Sequence, residues 1–271
     1  MSEGTVPSQA PDLLEERRGD SGEIVWITLN RPQARNALTF AMYDRLQEIC
    51  EEVNADSSVR TVVLIGAGGR AFAAGTDISQ FRAFKTKEDA LAYEDRMDSI
   101  LGALESVRVP TIAAIMGACT GGGAAIAAVC DLRLCTPSMK FGFPIARTLG
   151  NTLSMANFVR LGMLIGFPRV KELIFTARLV GAEDAEAIGL VNEVVPSDEA
   201  LEVRALELAT IVGANAPLTL ATTKEALRRI RIQMMPPEGG SDLVVKAYMS
   251  EDFHEGIKAF FDKRAARWIG R

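Results

Sequence analysis

Apolar residues recur along this chain in two rhythms, and the change from one to the other divides it. Residues 23–29 alternate between apolar and polar and are β-rich, residues 61–65 and 111–115 are unbroken apolar runs, and residues 132–135 form a shorter one. Alternation fits a strand with one buried face, whereas an unbroken run fits a strand buried on both. Between these runs, residues 39–53 and 87–104 carry helical spacing, so the first half reads strand, helix, strand, helix, the order of α/β architecture. From about residue 153 the strand signal fades, and helical patterns cover 168–176, 182–188, 198–212, 218–232 and 250–267. Glycine and proline at 166–168 and 236–240 mark loops, and no internal repeat or low-complexity segment occurs.

These patterns divide the chain into a polar, disordered arm over residues 1–20, an α/β core over 21–210 and a helical region over 211–271. The most apolar stretch, residues 110–130, is roughly as long as a membrane span, but Gly117 and the run Gly121, Gly122, Gly123 interrupt it. A buried strand, a tight loop and the start of a buried helix fit it better. With 271 residues, 48% hydrophobic and 24% charged, the chain has the composition of a folded domain. A net charge of -5 argues against a general nucleic-acid binder, so an anionic ligand must be met by a local basic patch. Cys50, Cys119, Cys130 and Cys135 show no CxxC spacing, which suggests buried thiols in a reducing, cytoplasmic setting and no metal site.

The candidate chemistry lies in two glycine-bearing turns that follow buried strands: Phe72-Ala73-Ala74-Gly75-Thr76-Asp77-Ile78 and Gly117-Ala118-Cys119-Thr120-Gly121-Gly122-Gly123. Glycine lets a ligand approach the main chain closely, and a helix that opens directly after such a turn leaves N–H groups unpaired. Two such N–H groups converging on one point form an oxyanion hole, in which one donor is worth roughly 3–4 kcal/mol of transition-state stabilisation. Either turn alone also fits simple close packing.

Several motifs in order, from Leu29-Asn30-Arg31-Pro32 with Asn36-Ala37-Leu38, through AFAAGTDI, the GGG turn closing on Cys130-Asp131 and Phe141-Gly142, to AEDAEAIGLVNEVV, resemble the crotonase superfamily, also called the enoyl-CoA hydratase/isomerase family. The likeness spans nearly the whole chain after the arm. It implies a crotonase-like spiral of ββα units with a C-terminal helical region that builds homotrimers, often paired into hexamers. It also implies an acyl-CoA substrate, with CoA brought by the substrate and no other cofactor, and no nucleic-acid or membrane partner. By the same resemblance the oxyanion donors are the N–H groups of Thr76 and Gly122, with Ala74, Asp77, Ile78, Thr120 and Gly121 around the substrate. Arg35 would lie at the start of the CoA site, and Lys263 would meet CoA phosphates from a neighbouring subunit.

The chain departs from the family pattern where hydratases carry two glutamates, because those places hold Ala125 and Ile145. Between Ser106 and Lys171 the only acidic residue is Asp131. Losing positioned acid–base catalysis typically lowers a rate by about 10²–10⁴-fold. Polar groups stand there instead: Thr120, Arg147, Thr148, Asn151, Thr152, Ser154 and Asn157. Arg147 suits a bidentate contact with a substrate carboxylate or with CoA phosphates, and equally a surface ion pair. Asp77 fits a helix cap better than a catalytic group, and His254 fits a structural or exposed position. The C-terminal half is also similar to the methylmalonyl-CoA decarboxylase branch, although that branch's histidine falls at Thr76 and its tyrosine near Leu153. Three functions follow: an enoyl-CoA hydratase/isomerase-like enzyme working through an enolate, a malonyl-type acyl-CoA decarboxylase using Arg147, and a non-catalytic acyl-CoA binding subunit.

Overall fold

The continuous apolar runs become parallel strands because both of their faces are covered. In the computed structural model, which describes residues 11–271 without the side chains of Arg82 and Ala83, β2 (Ile24–Leu29), β3 (Thr61–Gly66), β5 (Thr111–Ile115) and β7 (Leu132–Cys135) lie side by side and parallel. Alternate residues separate into two layers. Val25, Ile27, Val62, Leu64 and Ala113 join one apolar cluster with Leu46 and Ile49 of α1 (Phe40–Ala55) and with Ile100 and Leu104 of α2 (Lys87–Glu105). Ile24, Trp26, Val63, Ile65 and Ile112 join the other, with Leu201, Ala205 and Ala209 of α8 (Asp198–Gly213).

A second, four-stranded sheet runs β4 (Ala71–Ala73), β6 (Ala118–Thr120), β8 (Lys140–Gly142) and β9 (Val180–Gly181). Each long strand β3, β5 and β7 is thus followed at once by a short strand of this second sheet, which gives a repeating β-β unit with helices between successive units. Strands of two or three residues are too short to show a period, so the hydrophobic pattern places β4 and β6 inside loops. The six-stranded sheet is closed at its ends by β1 (Leu13–Arg18), antiparallel to β2, and by β10 (Glu193–Val194), parallel to β7.

At both ends of the chain the structure departs from the sequence pattern. The arm does not extend to residue 20, because Leu13–Arg18 forms β1; residues 1–10 lie outside the described residues. A strand reading LLEERR looks like a tail because polar side chains on an edge strand face water, and its Arg18 guanidinium stacks 3.9 Å above the Trp26 ring. The last helix also stops early: α11 (Glu251–Phe261) ends before Lys263, which takes a left-handed φ of 52°. The chain then runs back, and the Asp252 carboxylate accepts from the Ile269 and Gly270 N–H groups at 2.7 and 2.9 Å.

The remaining helices are α3 (Gly122–Val129), α4 (Ile145–Thr148), α5 (Met155–Ile165), α6 (Phe167–Thr176), α7 (Ala182–Ala187), α9 (Pro217–Gln233) and α10 (Ser241–Tyr248). Residues 110–130 divide into β5, β6 and α3, as their glycines imply. Among the described residues no single helix is long and apolar enough to cross a membrane; α8 and α9 pass such a test only together, as a pair bent by 101°.

One buried side chain ties the start of α1 to the β3–β4 turn. Asn36, fully buried at a φ of 55°, accepts from the Arg31 N–H at 2.9 Å and donates to the carbonyls of Ala67 and Ala71 at 2.9 and 2.8 Å. Replacing Asn36 with Ala removes all three bonds and strands buried carbonyls, so Asn36→Ala should lower unfolding free energy by about 2–4 kcal/mol in a denaturant titration. A loss below about half a kcal/mol contradicts that role.

Candidate active site

The Gly75 and Gly121 turns meet at the ends of β4 and β6. Leu38 bridges to Thr76 in parallel fashion: its N–H donates to Gly75 O at 2.8 Å, and its carbonyl accepts from the Asp77 N–H at 2.9 Å. A bridge that uses the groups flanking Thr76 leaves the N–H of Thr76 itself facing the other side. Gly75 has a φ of 106°, which only glycine holds without strain, and this reverses the chain out of β4.

Gly121 donates its N–H to Gly142 O at 3.0 Å, and α3 opens at Gly122. The Gly122 N–H therefore belongs to the first turn and has no intrahelical acceptor. Among the described residues neither Thr76 N–H nor Gly122 N–H has a protein acceptor. A Cβ at residue 122 would lie 3.4 Å from Thr76 N and 2.8 Å from Thr76 Oγ1, and would collide with the Tyr43 hydroxyl. Glycine is required there because the two turns are already in contact.

Thr76 and Gly122 line one cavity, together with Ala74, Ile78, Thr120 and Gly121. Ala125 and Ile145 also face it, so the positions where hydratases carry glutamate are apolar wall in this protein. Of the tentative polar groups, Asn151 lines the cavity, as do Thr148, Thr152 and Asn157.

The other expected residues lie elsewhere. Arg147 is exposed and outside the lining, because the single turn of α4 gives Ile145 and Thr148, three residues apart, to the cavity and leaves Arg147 on the far side. Ser154 is buried but caps α5, accepting from the Asn157 N–H at 3.3 Å and donating to Asp98 at 2.8 Å. Asp77 caps residues Ile78–Ala83 through Ser79 and pairs with Arg31 at 3.3 Å, and it too is absent from the lining. Arg35 and Lys263 are exposed, both with left-handed φ, and neither lines the cavity, although the Arg35 carbonyl accepts from the N–H of Ala74, which does, at 3.0 Å. His254 is exposed, with its ring nitrogen Nδ1 2.9 Å from Ser250 O.

What sequence reading missed is an acid from α2. Glu94 of α2 lines the cavity, is 8% exposed and accepts a hydrogen bond from the Tyr248 hydroxyl of α10. Asn151 Nδ2 donates to the same hydroxyl at 3.0 Å, while Asn151 Oδ1 is buried without a partner among the described residues. Burial, reinforced by the charges of Asp98 and Asp95, pushes the Glu94 carboxyl up to about 7 against the help of Tyr248. Thr76 Oγ1 lies 2.9 Å from the Tyr43 hydroxyl and 3.3 Å from that of Tyr93, and burial raises both phenols. A signal for Glu94 was present: it shares the apolar stripe of α2 with Ala90, Met97 and Leu101, where an acid is out of place.

The raised carboxyl has a thermodynamic signature. In the unfolded chain Glu94 ionises near 4.5 and in the folded protein near 7, so over that window the native state holds a proton that the unfolded state has lost. Stability contributed by the neutral carboxyl is therefore present at low pH and falls as pH rises towards 7. Glu94→Gln removes the effect, so its stability advantage over the parent should be near zero at acid pH and grow to about 3 kcal/mol above neutrality. Denaturant unfolding across pH reads it, and an advantage that does not change with pH contradicts the assignment.

With this geometry in place, likeness to known proteins is informative. Residues 19–271 match the enoyl-CoA hydratase/isomerase family model. A short-chain-enoyl-CoA hydratase of Clostridium acetobutylicum is 35% identical over 250 residues, covering 90% of this chain and 93% of the relative. A putative enoyl-CoA hydratase/isomerase, YngF, of Bacillus subtilis is 38% identical over 251 residues, covering 90% and 94%. Among solved structures, methylmalonyl-CoA decarboxylase in complex with 2-nitronate-propionyl-CoA superposes with a TM-score of 0.85 at 28% identity, over 95% of this chain and 98% of that one. An enoyl-CoA hydratase/isomerase from Xanthobacter autotrophicus Py2 gives 0.83 at 28% identity, over 93% of each chain. The two-sheet spiral is the crotonase fold, and the chain belongs to the enoyl-CoA hydratase/isomerase family of acyl-CoA-processing enzymes.

Proposed function

We propose that this protein binds an acyl-CoA with its thioester oxygen between the N–H groups of Thr76 and Gly122, and that it stabilises the enolate formed when the α-carbon loses a proton. The observation that carries this reading is the pair of unsatisfied amides from two touching turns on the wall of one cavity. In a pocket whose walls are mostly apolar, each such donor is worth roughly 3–4 kcal/mol once negative charge develops on the oxygen. Both donors are held in place before substrate arrives, because the Leu38 bridge and the Gly121–Gly142 bond hold the two turns.

The same geometry weighs against two alternatives. Hydration by a pair of glutamates has no support where Ala125 and Ile145 form the wall, and decarboxylation guided by Arg147 loses its cation to the solvent side of α4. A silent binding subunit would have no use for a buried, ionisable Glu94 in the pocket, which is costly to keep there.

Assembly into homotrimers or hexamers is part of the proposal. It is supported by α9, which buries none of its residues and exposes Leu218, Leu227 and Ile230. CoA contacts by Arg35, and by Lys263 from a neighbouring subunit, remain compatible with their exposure. The four buried, unpaired thiols support a reducing, cytoplasmic setting.

Gly122→Ala tests the oxyanion contact. The added methyl group displaces Thr76 and the Tyr43 hydroxyl, so exchange of the substrate α-proton in heavy water should slow by about 10²–10³-fold, with thermal unfolding still cooperative. Exchange at the parent rate contradicts the reading, and a parent protein that binds acyl-CoA yet exchanges nothing points to a binding subunit instead.

A further inference from the structure

Resting on the enolate reading above, we propose that Glu94 is the proton-transfer group of the site, and that it moves one proton between the α- and γ-carbons of a β,γ-unsaturated acyl-CoA, with Tyr248 and Asn151 as its positioning pair. Glu94 is the only carboxylate on the cavity wall among the described residues. It comes from α2, and its chain neighbour Tyr93 reaches Thr76 Oγ1 at 3.3 Å. The carboxyl group is therefore held on the same cavity as the amides, without belonging to either glycine turn.

The hydrogen bonds around it fix its orientation. Tyr248 donates to Oε1 and receives the Asn151 amide, so the hydroxyl has one outlet and the carboxylate cannot rotate freely. A carboxylate offers about four acceptor positions, so this leaves it able to take a proton. The groups facing it are Tyr93, Asp95 and Asp98 from its own helix, Tyr43 from α1, Tyr248 from α10, and the Ser154 N–H just before α5, with Arg160 of α5 engaged by Asp98. Their sum holds the carboxyl near neutrality, where one group can both accept and return a proton.

The chemistry balances with this single carrier. Glu94 takes the α-proton as the C–H electron pair becomes the Cα–carbonyl double bond and the thioester π pair moves onto the oxygen between the two amides. In a β,γ-unsaturated substrate this is a dienolate. When the carbonyl re-forms, a Cα–Cβ double bond appears and Cγ takes the proton back from the Glu94 carboxylic acid. No water, oxidant or second acid enters, and the carboxylate is regenerated. The two carbons are next-nearest neighbours in the chain, so one carboxylate on one face of the substrate serves both.

The test assays full-length protein with β,γ-enoyl-CoAs of short and medium chain length, following growth of the conjugated thioester absorbance. The parent should form the conjugated product. Glu94→Gln, which keeps the shape and the Tyr248 contact, should lose about 10²–10⁴-fold in kcat with little change in thioester affinity. Tyr248→Phe should keep turnover but move the midpoint of the rising limb of the pH–rate profile above about 7, because the hydroxyl favours the ionised carboxyl. Turnover by Glu94→Gln within about threefold of the parent overturns the proposal, as does a parent that binds β,γ-enoyl-CoA without forming conjugated product. A nitronate-bearing acyl-CoA separates this failure from failure of the enolate reading. The nitronate presents anionic oxygen to the amides and needs no proton transfer. Tight binding to both parent and Glu94→Gln leaves the enolate reading standing even if the assay rejects Glu94, whereas no binding to the parent removes the enolate reading itself.

Discussion

Leu38 spends its own N–H and carbonyl on the two residues that flank Thr76, and much of the site depends on that arrangement. A backbone bridge of this kind turns the N–H of the residue between them away from the bridge. Asn36, two residues earlier, anchors the bridging segment to the carbonyls of Ala67 and Ala71, so the turn after β4 is set by the packing of the main sheet. The second turn is brought up by the parallel pairing of β4 with β6, and the absence of a side chain at Gly122 lets the two backbones touch. Once both are in place, two unpaired donors face a pocket whose remaining walls are mostly apolar, an environment in which a developing negative charge on oxygen is strongly attracted to them.

Stability and chemistry pull in opposite directions at Glu94. Burial among Met97, Leu101 and the aromatic rings of Tyr93 and Tyr248 disfavours the carboxylate, and the neighbouring Asp95 and Asp98 disfavour it further. A fold selected only for stability would place an apolar residue on that stripe of α2. Ion pairs further along α2 compensate in part: Arg160 pairs with Asp98 and Glu105 at 3.2 Å each, and Arg231 pairs with Glu105 at 2.6 Å, which joins α2 to α5 and α9. The helix that carries the costly residue is thereby held by ion pairs at one end and by aromatic contacts of Tyr93 with Phe81 and Phe84 at the other.

The long strands were legible in the sequence because burial on both faces leaves an unbroken apolar run, as in Thr61–Gly66 and Thr111–Ile115. The second sheet was not, since strands such as Ala71–Ala73 and Ala118–Thr120 are shorter than any period that could reveal them. β1 was hidden for a different reason, its outward residues being as polar as a tail. At the site, the two turns could be read because glycine marks close backbone approach. Of the polar wall, Thr120, Thr148, Asn151, Thr152 and Asn157 do line the cavity, but Arg147 and Ser154 do not, because nearness in sequence is not nearness in space: one turn of α4 carries Arg147 to solvent, and Ser154 caps α5. Glu94 and Tyr248 are 154 residues apart, and only the fold makes them neighbours; the sole hint was an acid on an apolar helical face.

A thioester carbonyl held by two backbone donors loses bond order, and its stretching frequency reports that loss directly. Isotope-edited infrared difference spectroscopy of an unreactive acyl-CoA bound to the protein should show the carbonyl stretch well below its frequency in water, as donors at Thr76 and Gly122 draw electron density onto the oxygen. A bound carbonyl that absorbs at or above the aqueous frequency would mean that the two amides do not grip it.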